Sequence, residues 1–221
     1  MPLHQRTLRN NQIEFENLLA FARLIAEDNP LALVDFVRLL ARPMQSELMI
    51  DAAVKGARRD VPCVDTRNFF WENQDTYFGA LKRTRRRRKD IEVRLDRDVV
   101  LPWPWHPKRL VRSLTSIGPG RSWGTWKVDK QNHGLLLWLP WGISFVASGN
   151  HSITAGILGG GASLAPTEVY DMAGIFSLVQ CDGTHYKSAD GLTRIAEVTD
   201  PRAAAIFETG RLMHHHKVSA W

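Results

Sequence analysis

The chain has 221 residues, 44% hydrophobic and 24% charged, with 16 Gly and 11 Pro, a mixture that excludes disordered and fibrous classes and allows one large domain or two small ones. Its formal charge is +6, but Lys82–Lys89 (KRTRRRRK) holds seven positive charges in eight residues, and the remainder carries 22 basic against 23 acidic groups. Two cysteines, Cys63 and Cys181, exclude a disulfide-dense scaffold and zinc-ligand spacing; residues 1–12 carry no apolar leader and no span of about 18 apolar residues exists, so a soluble, cytoplasmic protein without membrane insertion is expected.

The first sixty residues read as helical. Phe15, Leu18, Leu19, Ala22, Ile25 and Ala26 form an apolar stripe at 3-4 spacing from Ile13 to Glu27. Asn29-Pro30 ends or kinks that helix, Leu31–Leu40 gives a second, and Ser46 caps a third that runs to about Gly56. Pro62, the aromatic cluster Phe69, Phe70 and Trp71, and the arginine run then form a transition. Like charges in a run repel one another, so this segment is expected as a solvated arm.

From Ile91 the pattern changes to alternation of period two. Ile91–Leu95 and Val99–Leu101 read as strands, Lys108–Ile117 as a short helix stopped by Gly118-Pro119-Gly120, and Leu135–Leu139 with Ile143–Ala147 as a β-hairpin. Gly149-Asn150-His151-Ser152 leads into a helix that Gly159–Gly161 ends. Gly174–Cys181 and His185–Val198 read as strands, and Asp200-Pro201 starts an alanine-rich helix to about Met213. The expected class is α+β, with a helical N-terminal region (1–60), a linker with a basic arm (61–90) and an α+β domain (91–221).

The sharpest local feature is the strand–turn–helix around Gly149. A glycine turn directs unpaired helix N–H groups at whatever lies in front of them, which suits a phosphate. His151 and Ser152 add side-chain donors, and Asn150 can orient a water or ligand; a plain capped helix start is the competing reading. The arginine run suits the phosphate backbone of a nucleic acid, because guanidinium forks match phosphate oxygens. Six of eight tryptophans lie between Trp103 and Trp141. Trp138 and Trp141 read as hairpin packing, whereas Trp103 and Trp105, among prolines, are candidates for stacking on exposed bases. His214-His215-His216 lacks the geometry of a metal site on a helix, and both cysteines read as buried or inert.

On the segments Val99–Pro107, Lys108–Ile117, Leu135–Ala147 and Gly149–Leu158, the stretch Ile91–Gly160 resembles the ParB/sulfiredoxin superfamily, about a third of the chain. That resemblance implies a ParB/Srx-like small mixed sheet with flanking helices. Sulfiredoxins carry their catalytic cysteine at the position of Asn150, so a sulfur-transfer intermediate is excluded. ParB-type CTPases carry Gly-Glu-Arg-Arg where Gly149-Asn150-His151-Ser152 stands. Within the superfamily the chain is similar to plasmid fertility-inhibition proteins of the Osa and FiwA type, which block conjugative type IV secretion of DNA.

The resemblance implies an ATPase and metal-dependent DNase acting on transferred DNA, using ATP or another NTP with Mg2+. It places Asn150 and His151 as catalytic residues and Gly149, Asn150, His151, Ser152, Arg109 and Arg112, with Lys108 as a lesser third, around nucleotide phosphates. A metal would need a carboxylate, with Glu168, Asp171 and Asp182 left open as alternatives. Arg83, Arg85, Arg86, Arg87, Arg88 and Lys89 would contact DNA backbone without reading sequence, and a relaxase–DNA complex or type IV coupling protein is an expected partner. The alternative is a non-catalytic ParB-like module that blocks a DNA or protein partner through its basic arm and N-terminal helices.

Overall fold

The computed structural model describes residues 3–56, 64–78, 85–86 and 90–221. Helix α1 spans Leu3–Asp28, and Asn29 accepts the Leu31 N–H to cap a 3-10 turn at Pro30–Ala32. Helix α2 then runs unbroken over Leu33–Lys55 and ends at Gly56, φ +66°. The expected break between Leu40 and Ser46 is absent. Pro43 lies inside the helix and removes one backbone hydrogen bond, but Leu40, Ala41, Gln45 and Ala52 are buried on both sides of it, so packing overrides the local breaker.

A five-stranded mixed sheet has the order β1-β7-β4-β5-β3. Its strands are β1 (Arg85–Arg86), β3 (Val99–Leu101), β4 (Gly134–Leu139), β5 (Ile143–Ser148) and β7 (Glu168–Asp171). The β4–β5 hairpin is antiparallel, β3 joins β5 in parallel, β7 joins β4 in parallel, and β1 pairs antiparallel with β7. The short ribbon of β2 (Val93–Arg94) and β6 (Ser163–Leu164) lies apart, as does the antiparallel set β8 (Val179–Cys181), β9 (His185–Ser188) and β10 (Arg194–Glu197). Gly174–Ser177, expected as strand, lies in a 3-10 turn over Ala173–Ser177, and β7 has no counterpart in the sequence reading.

Alternation divides the core in two. Val99, Leu101, Trp138, Ile143 and Phe145 face a cluster that also contains Phe15, Leu33, Val37 and Phe207, from α1, α2 and α6 (Pro201–His215). Val100, Leu135, Leu137, Leu139 and Val169 face a second cluster with Ile91, Val93, Leu95 and Ile153, the last from α5 (Asn150–Gly159). The N-terminal helices thus share a core with the C-terminal part of the chain, and Phe69, Phe70 and Trp71 from the transition are buried in it. Phe70 packs edge-on against Phe207 with ring centroids 5.1 Å apart. Trp141 is buried, and its indole N–H donates to Ile206 O at 2.7 Å. The expected Asp200 cap of α6 is present, accepting from the Arg202 N–H at 2.8 Å.

Arg85 and Arg86 do not form a free arm: their backbone pairs with Tyr170 and Val169 as strand β1. A strand edge offers hydrogen-bond groups to any neighbouring backbone, whatever its side chains. Arg83, Arg87, Arg88, Lys89 and Cys63 lie outside the described residues. No helix among the described residues is long and apolar enough to cross a membrane.

Candidate functional site

Strand β5 ends at Ser148, Gly149 turns the chain at φ +81°, and α5 begins at Asn150. Facing this joint is α4 (Pro107–Ser116), started by Pro107 and capped by His106, whose ring accepts the Arg109 N–H. The two helices enclose an open cleft of about 490 Å3. All six residues expected around phosphates line it: Arg109, Arg112, Gly149, Asn150, His151 and Ser152. Trp105, Ser113, Trp123 and Asn132 complete the lining, which contains no carboxylate. Lys108 is not among the lining residues.

The first turn of α5 anchors the loop that leads into α4. Asn150 Oδ1 accepts the Trp103 N–H at 2.6 Å, and His151 Nε2 accepts the His106 N–H at 3.2 Å. A neutral imidazole that accepts at one nitrogen carries its proton on the other, so His151 is left with an Nδ1–H donor. Burial pushes its basicity below the ordinary histidine value, and nearby Arg109 and His106 push in the same direction. The fold thus favours the neutral ring, with Nε2 engaged by the His106 N–H and Nδ1–H left as the donor.

Ser152 is held from the other side. Its Oγ lies 3.2 Å from the Trp126 indole nitrogen, which donates to it, and 3.0 Å from His133 Nε2. His133 Nδ1 accepts the Asp129 N–H at 3.0 Å, so the neutral ring presents Nε2–H to Ser152. Burial lowers the His133 pKa, with Asp129 opposing it. Trp126 stacks on the His133 ring at 4.9 Å and 9°. Ser152 thus receives two hydrogen bonds, and its remaining function is to donate its own proton. That arrangement does not activate a nucleophile, because a base must accept that proton. It suits an acceptor such as a phosphate oxygen.

Two guanidinium–indole pairs complete the cleft: Arg109 over Trp105 at 5.7 Å and Arg112 over Trp123 at 5.2 Å. Trp105 is 43% and Trp123 54% exposed, whereas Trp103 is half-buried. Trp123 was not singled out in the sequence. A knot of backbone bonds brings it here: Trp123 N–H donates to Ser116 O, Gly118 N–H to Gly124 O, and Gly124 N–H to Arg121 O. Gly118-Pro119-Gly120 signalled a turn, but a signal for a fold-back onto α4 was lacking. Trp126 and His133 were missed for the same reason, since their partner Ser152 is remote in sequence.

The other expected residues lie elsewhere. Glu168 accepts a hydrogen bond from Tyr170 on β7, and Asp171 accepts the Ala173 N–H at 3.2 Å. Asp182 accepts from the Thr184 and His185 N–H groups and pairs with Lys187. Burial works against its ionisation, but Lys187 and these donors outweigh it and hold the carboxyl well below the usual range. No group of three or more His, Cys, Asp or Glu among the described residues is placed to hold a metal, and the cleft's donor set of guanidiniums, N–H groups and a hydroxyl fits an anion, not a directly ligated Mg2+. Cys181 is half-buried, its thiol pushed up to about 12 by burial, too weakly acidic to form a nucleophilic thiolate. His214 packs on Phe176, while His215 and His216 are exposed at the end of α6.

The fold and cleft define an α+β protein with an arginine-lined recess between two helices. The chain belongs to a family of unknown function (DUF6710), matched over residues 4–220. No curated protein and no solved structure matches it.

Proposed function

We propose that the α4–α5 cleft binds the phosphates of a nucleotide, as the likeness to ParB/sulfiredoxin proteins implies. One observation carries this reading. Arg109, Arg112, the Ser152 hydroxyl and the start of α5 converge on a single cleft with no carboxylate in its lining. Guanidiniums and helix N–H groups are the usual partners of phosphate oxygens, and a lining without carboxylates leaves their charge unopposed.

The same contacts favour a binding module over a hydrolase. Asn150 Oδ1 and His151 Nε2 are engaged by backbone N–H groups, so both act as positioning residues for the α4 loop. The lining holds no carboxylate that could hold a metal, and the acceptor nitrogen of its one histidine is already engaged by the His106 N–H. In the setting of conjugative DNA export, such a module would act by occupying a DNA or protein surface, with the arginine run supplying backbone contacts to DNA.

Titration of ATP and CTP, with and without magnesium, followed by intrinsic tryptophan fluorescence tests the reading. Saturable binding is expected, weakened at least about tenfold in an Arg109→Ala/Arg112→Ala variant, since each charge-assisted hydrogen bond contributes about 1.5–3 kcal/mol. Absence of binding by folded protein, or binding indifferent to both arginines, refutes it. Nucleotide turnover that disappears in His151→Gln would restore the hydrolase reading.

A further inference from the structure

Resting on the phosphate reading of this cleft, we infer that its ligand is a single-stranded polynucleotide and not a free mononucleotide. The argument is the number and placement of aromatic surfaces. A mononucleotide has one base and needs one shelf beside its phosphate seat. This cleft has two. Trp105 precedes α4 and Trp123 follows its C-terminal end, tied to Ser116 by a backbone hydrogen bond. Arg109 and Arg112 lie between them on the same helix, about one turn apart. Each arginine rests over one of the indoles. The order along the wall is indole, guanidinium, guanidinium, indole, which puts an aromatic surface at each end and two cations between them.

The recess also continues past a single ligand. A neighbouring cavity of about 370 Å3 shares Trp105 and Asn150 with the cleft and is lined further on by Trp103, Phe145 and the paired Asp65 and Arg67. Stacking is available only to bases whose faces are open, and such contacts tolerate any sequence. A duplex hides those faces, so the geometry selects single strands. It does not select a sugar.

The test is a length series. Labelled dT8 and rU8 are bound to the full-length protein and followed by anisotropy, with dTMP, ATP, dT2, dT4 and a short duplex as competitors. Affinity is expected to rise at least about tenfold from dTMP to dT4, because stacking contributes about 1–3 kcal/mol per base. Binding of dT8 or rU8 that depends on both tryptophans supports the inference, and the ratio of the two names the sugar. The arginine run would hold any oligomer through charge alone, so the tryptophans supply the discriminating arm. Trp105→Ala and Trp123→Ala are each expected to weaken dT8 about tenfold, while Trp123→Phe restores it and dTMP responds to at most one of the two. Oligomers no tighter than dTMP, a duplex competing as well as dT8, or dT8 indifferent to Trp123 overturns the inference while leaving phosphate binding intact. Failure of both dTMP and dT8 to bind folded protein overturns both readings.

Discussion

Gly149→Ala isolates how the cleft is mounted. Gly149 has φ +81°, and a Cβ there would lie 2.5 Å from His133 Cδ2 and 2.8 Å from the Asn132 backbone oxygen. One of these neighbours is main chain, held in the 129–133 turn by His133 N–H donating to Asp129 O at 2.7 Å, so it cannot swing aside as a side-chain tip would. The left-handed conformation costs alanine about 1–2 kcal/mol, and crowding a packed site costs about 1–3 kcal/mol. Reduced freedom of the unfolded chain returns about 0.4–1 kcal/mol. The net expectation is a loss of about 1–5 kcal/mol. Urea unfolding followed by tryptophan fluorescence would read this as a lower midpoint at unchanged slope. Displacing His133 also disturbs its bond to Ser152, so phosphate binding should weaken at temperatures where the variant is fully folded. Asparagine tolerates the left-handed region better, so Gly149→Asn should recover part of the backbone cost and none of the crowding. A loss below about 0.5 kcal/mol for the alanine variant, within the range of ordinary surface changes, would refute the close approach of the turn to the β5–α5 joint.

Three further outcomes follow from the same contacts. Asn150→Ala strands the Trp103 N–H and should cost about 1–3 kcal/mol in urea unfolding, whereas Asn150→Asp keeps the acceptor and most of the stability but places a negative charge in the cleft and weakens phosphate binding. Gly210→Ala would put a Cβ inside the van der Waals envelope of Trp141 Nε1 and 2.9 Å from Phe176 Cζ; despite a helix-propensity gain of about 1 kcal/mol, a lower urea midpoint is expected, with red-shifted tryptophan emission if the Trp141–Ile206 bond opens. The histidine pKa values set a pH dependence. Because His133 and His151 are depressed in the fold, their contribution is intact above the unfolded histidine value of about 6.5 and is lost as pH falls from there towards the folded values. Urea midpoints measured from pH 7.5 to 5 should therefore fall, with a shallower slope in His133→Gln/His151→Gln; an unchanged slope would argue that neither ring is held neutral by burial.

Residues whose partners lie close in sequence were legible, and those whose partners lie far away were not. Val99–Leu101, the β4–β5 hairpin and the Asp200-Pro201 helix start carry their own signals: a short apolar run, a Pro-Trp-Gly turn and a cap. The Gly149 turn was likewise visible, because a glycine between an apolar strand and a polar helix start has few other uses. Strand β7 was not visible, since of Glu168–Asp171 only Val169 is fully buried and its pairing with β4 is parallel and non-local. The continuity of α2 through Pro43 depends on burial against β3 and α6, where Gln45 donates to Val100 O at 2.6 Å, and local propensity says nothing of that. Asn150 and His151 were read as chemistry because their side chains are versatile; the structure adds that each also accepts a backbone N–H, from Trp103 and His106, a use such side chains commonly have.

The way α5 is held bears on which ligand groups decide affinity. The second turn of the helix is buried, with Ile153, Thr154, Ala155 and Gly156 in the interior, and Gly156 sits so close to Leu95 and Trp126 that a Cβ would meet them at 2.9 and 3.0 Å. Its N-terminal donors are therefore fixed by the core and need no ordering when a phosphate arrives, which lowers the entropic cost of binding. Arg109 and Arg112 differ. Each is a long side chain whose immobilisation costs about 0.5–1.5 kcal/mol, but each already rests on an indole, which restricts it before any ligand binds. Replacing Trp123 by alanine thus removes a stacking surface and also frees Arg112, so the two effects reinforce each other for a ligand that uses both. A polynucleotide meets that description at both ends of α4, and a single phosphate meets it at neither.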